Sequence, residues 1–135
     1  MSTVLKDRHY ARSHEWVKAE GQEATIGISD YAQDELTDVV YVELPEVGDE
    51  VEQGESFAIV ESVKAASDVL APVSGTVVGV NEDLEDTPEL INESPYDEGW
   101  FIRVEMASKD AVDALVGNSL MDGDGYESYL DSLDE

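Results

Sequence analysis

Apolar and polar positions alternate along most of the chain, and this alternation predicts a series of short β-strands. The predicted strands occupy residues 14–28 as a pair around a turn at 20–22, and then residues 39–44, 56–63, 67–71, 76–78 and 100–105. Proline and glycine punctuate the segments between them. Several short strands with closely spaced turn signals are typical of a compact barrel or sandwich.

Helical signals are few before residue 100. Asp30 is predicted as the N-cap of a short helical turn that runs through Leu36, with Gln33 three residues on completing a capping box. Residues 81–99 are polar and contain prolines, so we expect a long loop there.

The end of the chain changes to helical spacing. Ser108 is expected to cap a helix that Gly117 ends, and a second helix follows. The apolar stripes of the two helices are Val112, Leu115 and Val116, and then Tyr126, Tyr129, Leu130 and Leu133. We expect both helices to pack as lids on a sheet, within a single domain over residues 1–135. Its core would span residues 10–105 and its helical segment residues 108–135.

The composition excludes several classes of function. The 135 residues include 33 acids and 7 lysines or arginines, a formal net charge of −26, so nucleic-acid phosphates would be repelled. There is no cysteine, which excludes disulfides and thiolate chemistry. Two histidines predict no metal cluster, and no apolar stretch approaches the roughly 20 residues of a membrane span. We expect a soluble cytoplasmic protein, because the first residues lack the apolar core of a secretory signal.

The acids are spread over the whole chain, so self-repulsion should destabilise the fold in dilute buffer. Raising the salt from about 0.1 M to 1 M shortens the screening length from roughly 10 Å to 3 Å. We therefore predict that the melting temperature rises with potassium chloride concentration, as expected for a protein of a salty cytoplasm. An unchanged melting temperature across that series would favour the alternative, an acidic surface that serves to meet basic partners.

Lys64 has an unusual position for a chain with four lysines. It lies between Val63 and Ala65, where two strand patterns meet, so a hairpin tip would project its amine into solvent. Acylation would remove the charge and lengthen the side chain, which could then enter an apolar groove. Taken alone, these residues favour an ordinary lysine in a turn.

Seven segments, in order, give a more specific interpretation. They are SHEWVK at 13–18, ATIGI at 24–28, DYAQDEL at 30–36, VELPEVGDEV at 42–51, ESVKAASD at 61–68, APVSGTVVGVN at 71–81 and LINESPYDEGW at 90–100. Together they resemble the H-protein family of the glycine cleavage system, which is related to lipoyl and biotinyl carrier domains. The resemblance covers residues 10–104 and weakens in the C-terminal helices.

The resemblance implies a mainly β fold, a flattened barrel-sandwich hybrid with short helices that include C-terminal ones. It also implies a lipoyl group joined by an amide to Lys64. In this family the arm accepts an aminomethyl group from a pyridoxal-phosphate-dependent glycine decarboxylase and presents it to a tetrahydrofolate-dependent aminomethyltransferase. Dihydrolipoamide dehydrogenase then reoxidises the arm. The chain would be a carrier and not an enzyme, with a lipoate-attaching enzyme as a further partner and a monomer as its expected state.

The resemblance also indicates which residues surround the arm. They are Ser13, Glu15 and Asp68 near the groove, Glu61 beside the lysine as a recognition residue, and Glu35 where many relatives have histidine. Tyr31 likewise occupies a position that is histidine in relatives. Glu15 and Asp68 have the charge needed to hold a cationic amine, although a chain this acidic also places carboxylates on its surface for no such reason.

Four alternatives remain open from the sequence. Two are a lipoyl domain of a 2-oxo acid dehydrogenase and a biotin carrier, which resemble the chain only around the lysine and lack the SHEW segment. A third is a protein that relays lipoyl groups to other carriers, and a fourth is an acidic adaptor whose Lys64 is never modified. Ser13, His14 and Glu15 are adjacent in sequence and so are not expected to form a hydrolytic trio. We assign His14 a structural role, and Trp16 and Trp100 the role of core anchors.

Overall fold

The predicted strands fold into two antiparallel sheets with short helices around them. The computed structural model describes residues 3–133, which contain ten strands and five helices. The strands are β1 (His9–Ala11), β2 (Glu15–Glu20), β3 (Glu23–Ile28), β4 (Val39–Glu43), β5 (Glu50–Val51), β6 (Ser56–Ser62), β7 (Ala66–Leu70), β8 (Gly75–Val80), β9 (Ile102–Glu105) and β10 (Leu120–Met121). The helices are α1 (Asp30–Leu36), α2 (Asp83–Asp86), α3 (Leu90–Glu93), α4 (Ala111–Leu115) and α5 (Gly123–Leu133).

The larger sheet has seven strands in the order β10-β1-β2-β3-β9-β8-β5, and the smaller sheet has the order β4-β6-β7. The inward-facing side chains of both sheets form one apolar core, to which β2, β3, β4, β6, β8 and β9 all contribute buried residues. The mainly β architecture with short helices, one of them near the C-terminus, confirms the predicted fold class. None of the helices described here is long and apolar enough to cross a membrane.

Trp16 is the largest fully buried side chain, and it is anchored by its neighbours. Its indole Nε1 donates a hydrogen bond to the Pro95 carbonyl oxygen over 3.0 Å. Gly27 lies opposite it on β3, where a Cβ atom would approach the indole ring to 2.7 Å. Trp16 is therefore a core anchor, as predicted. Trp100 packs against the second apolar cluster of the chain but is only half-buried, with the Arg103 guanidinium 4.4 Å from its ring centre, so it lies at the edge of the core.

Helix α1 begins one residue earlier than the sequence predicted. Its N-cap is Ser29, whose Oγ accepts a hydrogen bond from the Ala32 N–H over 3.2 Å. Asp30 stands in the first turn and accepts a hydrogen bond from the Gln33 side chain over 2.8 Å. Both residue types are good caps, and Ser29 takes the position because it lies fully buried where the extended chain enters the helix.

Three further predictions from the sequence are wrong. Residues 81–99 are not a continuous loop, because the buried side chains of Leu84 and Ile91 hold α2 and α3 against the core. Ser108 does not cap α4, since its Oγ accepts a hydrogen bond from the Asp110 N–H before the helix begins. Val116 lies beyond the end of that helix and bridges to Leu120.

Helix α5 packs on the larger sheet, next to β1 and β10, as predicted for a lid. Tyr126 is its fully buried residue, and its ring stacks on that of Tyr10 at a centroid separation of 4.3 Å and an interplanar angle of 2°. These two rings, with Trp16 and Leu130, form a second apolar cluster. This cluster joins the C-terminal helix to the first strands of the chain.

Candidate functional site

Lys64 lies at the tip of the β6–β7 hairpin, where the sequence placed it. The last backbone pair of the hairpin is Glu61 with Ala66, which leaves residues 62–65 as the connection. Ser62 holds this connection together, because its Oγ accepts hydrogen bonds from the N–H groups of Lys64 and Ala65 over 3.2 and 3.1 Å. The Ser62 N–H also donates to the Ala65 carbonyl oxygen over 2.9 Å. These hydrogen bonds thus fix the backbone conformation of the tip, while the Lys64 side chain stays exposed.

The amine of Lys64 is directed toward helix α1. Its Nζ donates a hydrogen bond to the Glu35 carbonyl oxygen over 3.3 Å. That carbonyl belongs to the last turn of α1, where the backbone acceptors of a helix have no partner within it. The start of any group attached to Lys64 would therefore lie beside the end of α1.

A cavity of about 490 Å³ opens beside Lys64 and is called the groove below. Three parts of the chain line it: the segment entering β2, helix α1, and the β6–β7 hairpin. The lining residues are Ser13, His14, Glu15, Ile28, Tyr31, Ala32, Glu35, Leu36, Val60, Ser62, Lys64, Ala65, Ser67, Asp68 and Val69. Apolar and carboxylate side chains thus occur together next to the one lysine of the hairpin.

Glu15 is the buried carboxyl of the groove, and only 3% of the residue is exposed. Its Oε2 accepts a hydrogen bond from the Leu70 N–H over 3.0 Å, and its Oε1 accepts one from the Ser13 hydroxyl. Burial raises the pKa of Glu15 to about 7, because these hydrogen bonds offset only part of the cost of removing a carboxylate from water. Glu15 therefore changes its charge near neutral pH.

His14 and Tyr31 form an aromatic part of the groove wall. Their ring centres lie 4.6 Å apart, and the Tyr31 hydroxyl donates to the Glu35 carboxylate over 3.1 Å. His14 Nδ1 is 2.8 Å from the Tyr126 hydroxyl. Burial lowers the pKa of His14, so the ring is neutral at pH 7.

The structure brings together five of the six predicted site residues, which are Lys64 and the five carboxylate or hydroxyl residues expected around its arm. Ser13, Glu15, Glu35, Lys64 and Asp68 all line the groove. Glu61 does not line it: this residue is exposed on β6, between its strand neighbours Tyr41 and Ala66. Asp68 is exposed and accepts a hydrogen bond from the Ser56 hydroxyl over 3.1 Å.

Sequence reasoning missed the contribution of His14 and of the apolar lining residues. His14 was assigned a structural role, yet its ring lies between the groove and helix α5. The only sequence signal was its position between Ser13 and Glu15. The apolar lining residues, Ile28, Leu36 and Val60 among them, had the same pattern as core residues of strands and helices.

A second cavity of about 480 Å³ shares no lining residue with the groove. It contains Arg8, Lys18 and Arg103, three of the seven lysines and arginines. The Arg8 guanidinium lies 4.6 Å from the centre of the Trp16 ring and pairs with Asp7, which also pairs with Lys18. Arg103 stacks on the Trp100 ring, so all three bases have local structural partners. The groove beside Lys64 is therefore the candidate functional site.

Comparisons with known proteins identify the family of the chain. The sequence model of the family described as glycine cleavage H-protein matches residues 8–132. The chain is 56% identical over 133 residues to glycine cleavage system H protein 2, mitochondrial, of Arabidopsis thaliana, covering 98% of this chain and 82% of that protein. It is 50% identical over 135 residues to the glycine cleavage system H protein of Carboxydothermus hydrogenoformans, covering 100% of both.

Structural comparison gives the same result. The crystal structure of a glycine cleavage system H protein from Mycobacterium marinum superposes with a TM-score of 0.82 at 36% sequence identity. The superposition covers 93% of this chain and 98% of that one. The likeness therefore extends over nearly the whole of both chains.

Proposed function

Because the chain belongs to the glycine cleavage H-protein family, the lipoyl carriers of the glycine cleavage system, we propose that Lys64 carries its lipoyl group. Proteins of this family hold lipoate covalently on a lysine. The observation that supports Lys64 as the attachment site is its position at an exposed hairpin tip beside the groove, where hydrogen bonds fix the backbone. By contrast, the amines of Lys6 and Lys18 form ion pairs with Asp124 at 2.8 Å and Asp7 at 3.4 Å.

The groove fits a lipoyl arm in its chemistry as well as its position. The half-buried side chains of Ala32 and Leu36 offer apolar surface to the carbon chain, which an unmodified lysine amine would avoid. When bound, the dithiolane supplies the sulfur chemistry that accepts the aminomethyl group. The chain itself binds and orients the arm, and the tether keeps the arm at a high effective concentration near the groove.

Glu15 and Asp68 would hold the arm once it bears a cationic amine. Glu15 suits this role because it is buried and its carboxyl titrates near neutral pH. A positive charge nearby favours the ionised form, so loading the arm should lower the pKa of Glu15. Ser13 would keep the carboxyl oriented through its hydrogen bond.

We also propose that the chain is a carrier that visits several enzymes. The chain would carry the aminomethyl group without catalysing a reaction of its own, within a single cytoplasmic domain. It would visit the glycine decarboxylase, the aminomethyltransferase, dihydrolipoamide dehydrogenase and a lipoate-attaching enzyme as a monomer. Relay of lipoyl groups to other carriers is the second duty that the same exposed tip would permit.

The intact mass of the protein from its native cells tests the assignment to Lys64. We expect a mass increase of one lipoyl amide, located by peptide mapping to residues 61–68. Lys109 provides an internal control, because it is also exposed but lies outside the hairpin. An unmodified Lys64, in cells that make lipoate and cleave glycine, would refute the assignment and leave the fold unchanged.

A further inference from the structure

Tyr126 joins the C-terminal helix to the groove, although its own side chain is not part of the lining. It lies in α5 and is fully buried. Its hydroxyl is 2.8 Å from His14 Nδ1 and 2.7 Å from Ser29 Oγ. One oxygen therefore contacts two residues that are 15 positions apart in sequence: His14, which lines the groove, and Ser29, which caps the helix that forms another wall of it.

The first wall is the segment entering β2. His14 has a φ of 79°, a left-handed backbone conformation that is uncommon for residues other than glycine. Its neighbours Ser13 and Glu15 line the groove with it. The hydrogen bond from Tyr126 fixes the His14 ring against this unusual backbone, and so contributes to the placement of the two residues that flank it.

The second wall is helix α1, which begins at Ser29. The same Ser29 Oγ that contacts Tyr126 accepts the hydrogen bond from the Ala32 N–H that caps the helix. Helix α1 carries Tyr31 and Glu35 into the groove, and the Glu35 carbonyl oxygen accepts the hydrogen bond from Lys64. The position of α1 therefore affects the position of the Lys64 amine, from which the arm begins.

The hydrogen bonds at Tyr126 are mutually consistent. In the tautomer of neutral His14 that carries its proton on Nε2, the Tyr126 hydroxyl donates to Nδ1, and Ser29 donates its own hydroxyl hydrogen to the Tyr126 oxygen. Ser29 Oγ keeps a lone pair for the Ala32 N–H. Both hydroxyl donors of this chain then have an acceptor, which favours a single arrangement of the network.

We propose that the Tyr126 hydroxyl is a positioning group for the arm, because it ties the C-terminal helix to both walls of the groove. The inference rests on the proposed function, since it concerns the arm on Lys64. Tyr126 touches neither the arm nor a reacting atom. Its effect is to keep Glu15 and α1 at the separation in which the loaded arm is sheltered from water.

The test is Tyr126→Phe in the lipoylated protein loaded with the aminomethyl group. The readout is the spontaneous release of that group. Water replaces the amine on the aminomethyl carbon, breaking the carbon–nitrogen bond and releasing ammonium, and the hydroxymethyl thioether that forms then loses formaldehyde by cleavage of its carbon–sulfur bond, which leaves the free thiol. Loss of the positioning bonds should speed release about three- to tenfold, the factor that corresponds to one buried hydrogen bond. The ¹⁵N signals of the His14 ring should shift in the same variant, which a general loss of stability would not cause.

Tyr10→Phe is the matched control. Tyr10 is fully buried and stacked on Tyr126, but its hydroxyl bonds to the Leu5 backbone and not to the groove walls. This variant should release the group at the wild-type rate. If Tyr126→Phe melts below the assay temperature, Ser29→Ala breaks the same chain from the other side and should also speed release.

The outcomes separate the inference from the proposed function. Wild-type protein that cannot be lipoylated on Lys64 overturns the function before any variant is loaded. If wild-type protein loads normally, the positioning role is tested by the release rates of the variants. A rate in Tyr126→Phe or Ser29→Ala that equals the rate in Tyr10→Phe overturns the positioning role and leaves the proposed function in place.

Discussion

Lys64→Arg is expected to reduce glycine decarboxylation in a reconstituted glycine cleavage system to the level measured without this chain. The guanidinium keeps the positive charge at the hairpin tip but is not acylated under the conditions that modify a lysine amine. Without the arm, the tethered intermediate is lost, and a loss of at least about a thousandfold is expected from the effective concentration that tethering supplies. The measurement is release of labelled carbon dioxide from glycine, with the partner enzymes held constant.

Lys109→Arg is the control for this experiment, because it makes the same exchange at an exposed lysine remote from the hairpin. It should support decarboxylation at the wild-type rate. The hairpin should also keep its shape in Lys64→Arg, since Ser62 holds the tip through backbone groups. Equal activity of Lys64→Arg and wild type would exclude Lys64 as the attachment site.

Glu15→Gln is expected to stabilise the unloaded protein above pH 7. In the folded state burial raises the pKa of Glu15 from 4.5 to about 7, so between these values the folded chain holds a proton that the unfolded chain has released. The contribution of Glu15 to the free energy of unfolding is therefore fully present below pH 4.5. Between pH 4.5 and about 7 it decreases by about 1.4 kcal/mol per pH unit. The cost above pH 7 is about 3 kcal/mol, and a neutral glutamine avoids it.

Urea unfolding of both proteins from pH 4 to pH 8 measures this effect. Glutamine can still accept from the Leu70 N–H, and its amide can donate to the Ser13 hydroxyl, so the contacts of Glu15 are retained. The two unfolding free energies should be similar at pH 4 and should diverge toward pH 8. The other 32 acids are common to both proteins, so their repulsion cancels in the difference. A constant difference across this range would show that Glu15 does not titrate as a buried group.

The features of the fold that depend on neighbours in sequence were predictable. The β6–β7 hairpin follows from the alternating residues on both sides of Lys64, and the turn between β2 and β3 follows from Gly21, whose φ is 65°. The strands β1 and β10 were not predicted. Each has at most three residues, and their pairing through Tyr10 and Met121 joins segments more than 100 residues apart.

The candidate site was predictable in its centre but not in its walls. Lys64 and its flanking segment were evident, because this chain has few lysines and one of them lies at a hairpin tip. The burial of Glu15 was not evident, since it follows from the approach of the Leu70 backbone 55 residues away. The contact between His14 and Tyr126 spans 112 residues and depends on how helix α5 packs. Long-range packing of this kind leaves no local pattern in a single sequence.

The shaped tip around Ser62 has a consequence for recognition by other proteins. An enzyme that binds a flexible loop must order its backbone, which costs roughly 1–2 kcal/mol for each residue that is fixed. Here the hydrogen bonds of Ser62 have already restricted Lys64 and Ala65 in the unbound protein. The tip is thus preorganised, and several different enzymes can dock on the same conformation without each bearing that entropic cost. A carrier protein benefits from such rigidity at its point of contact.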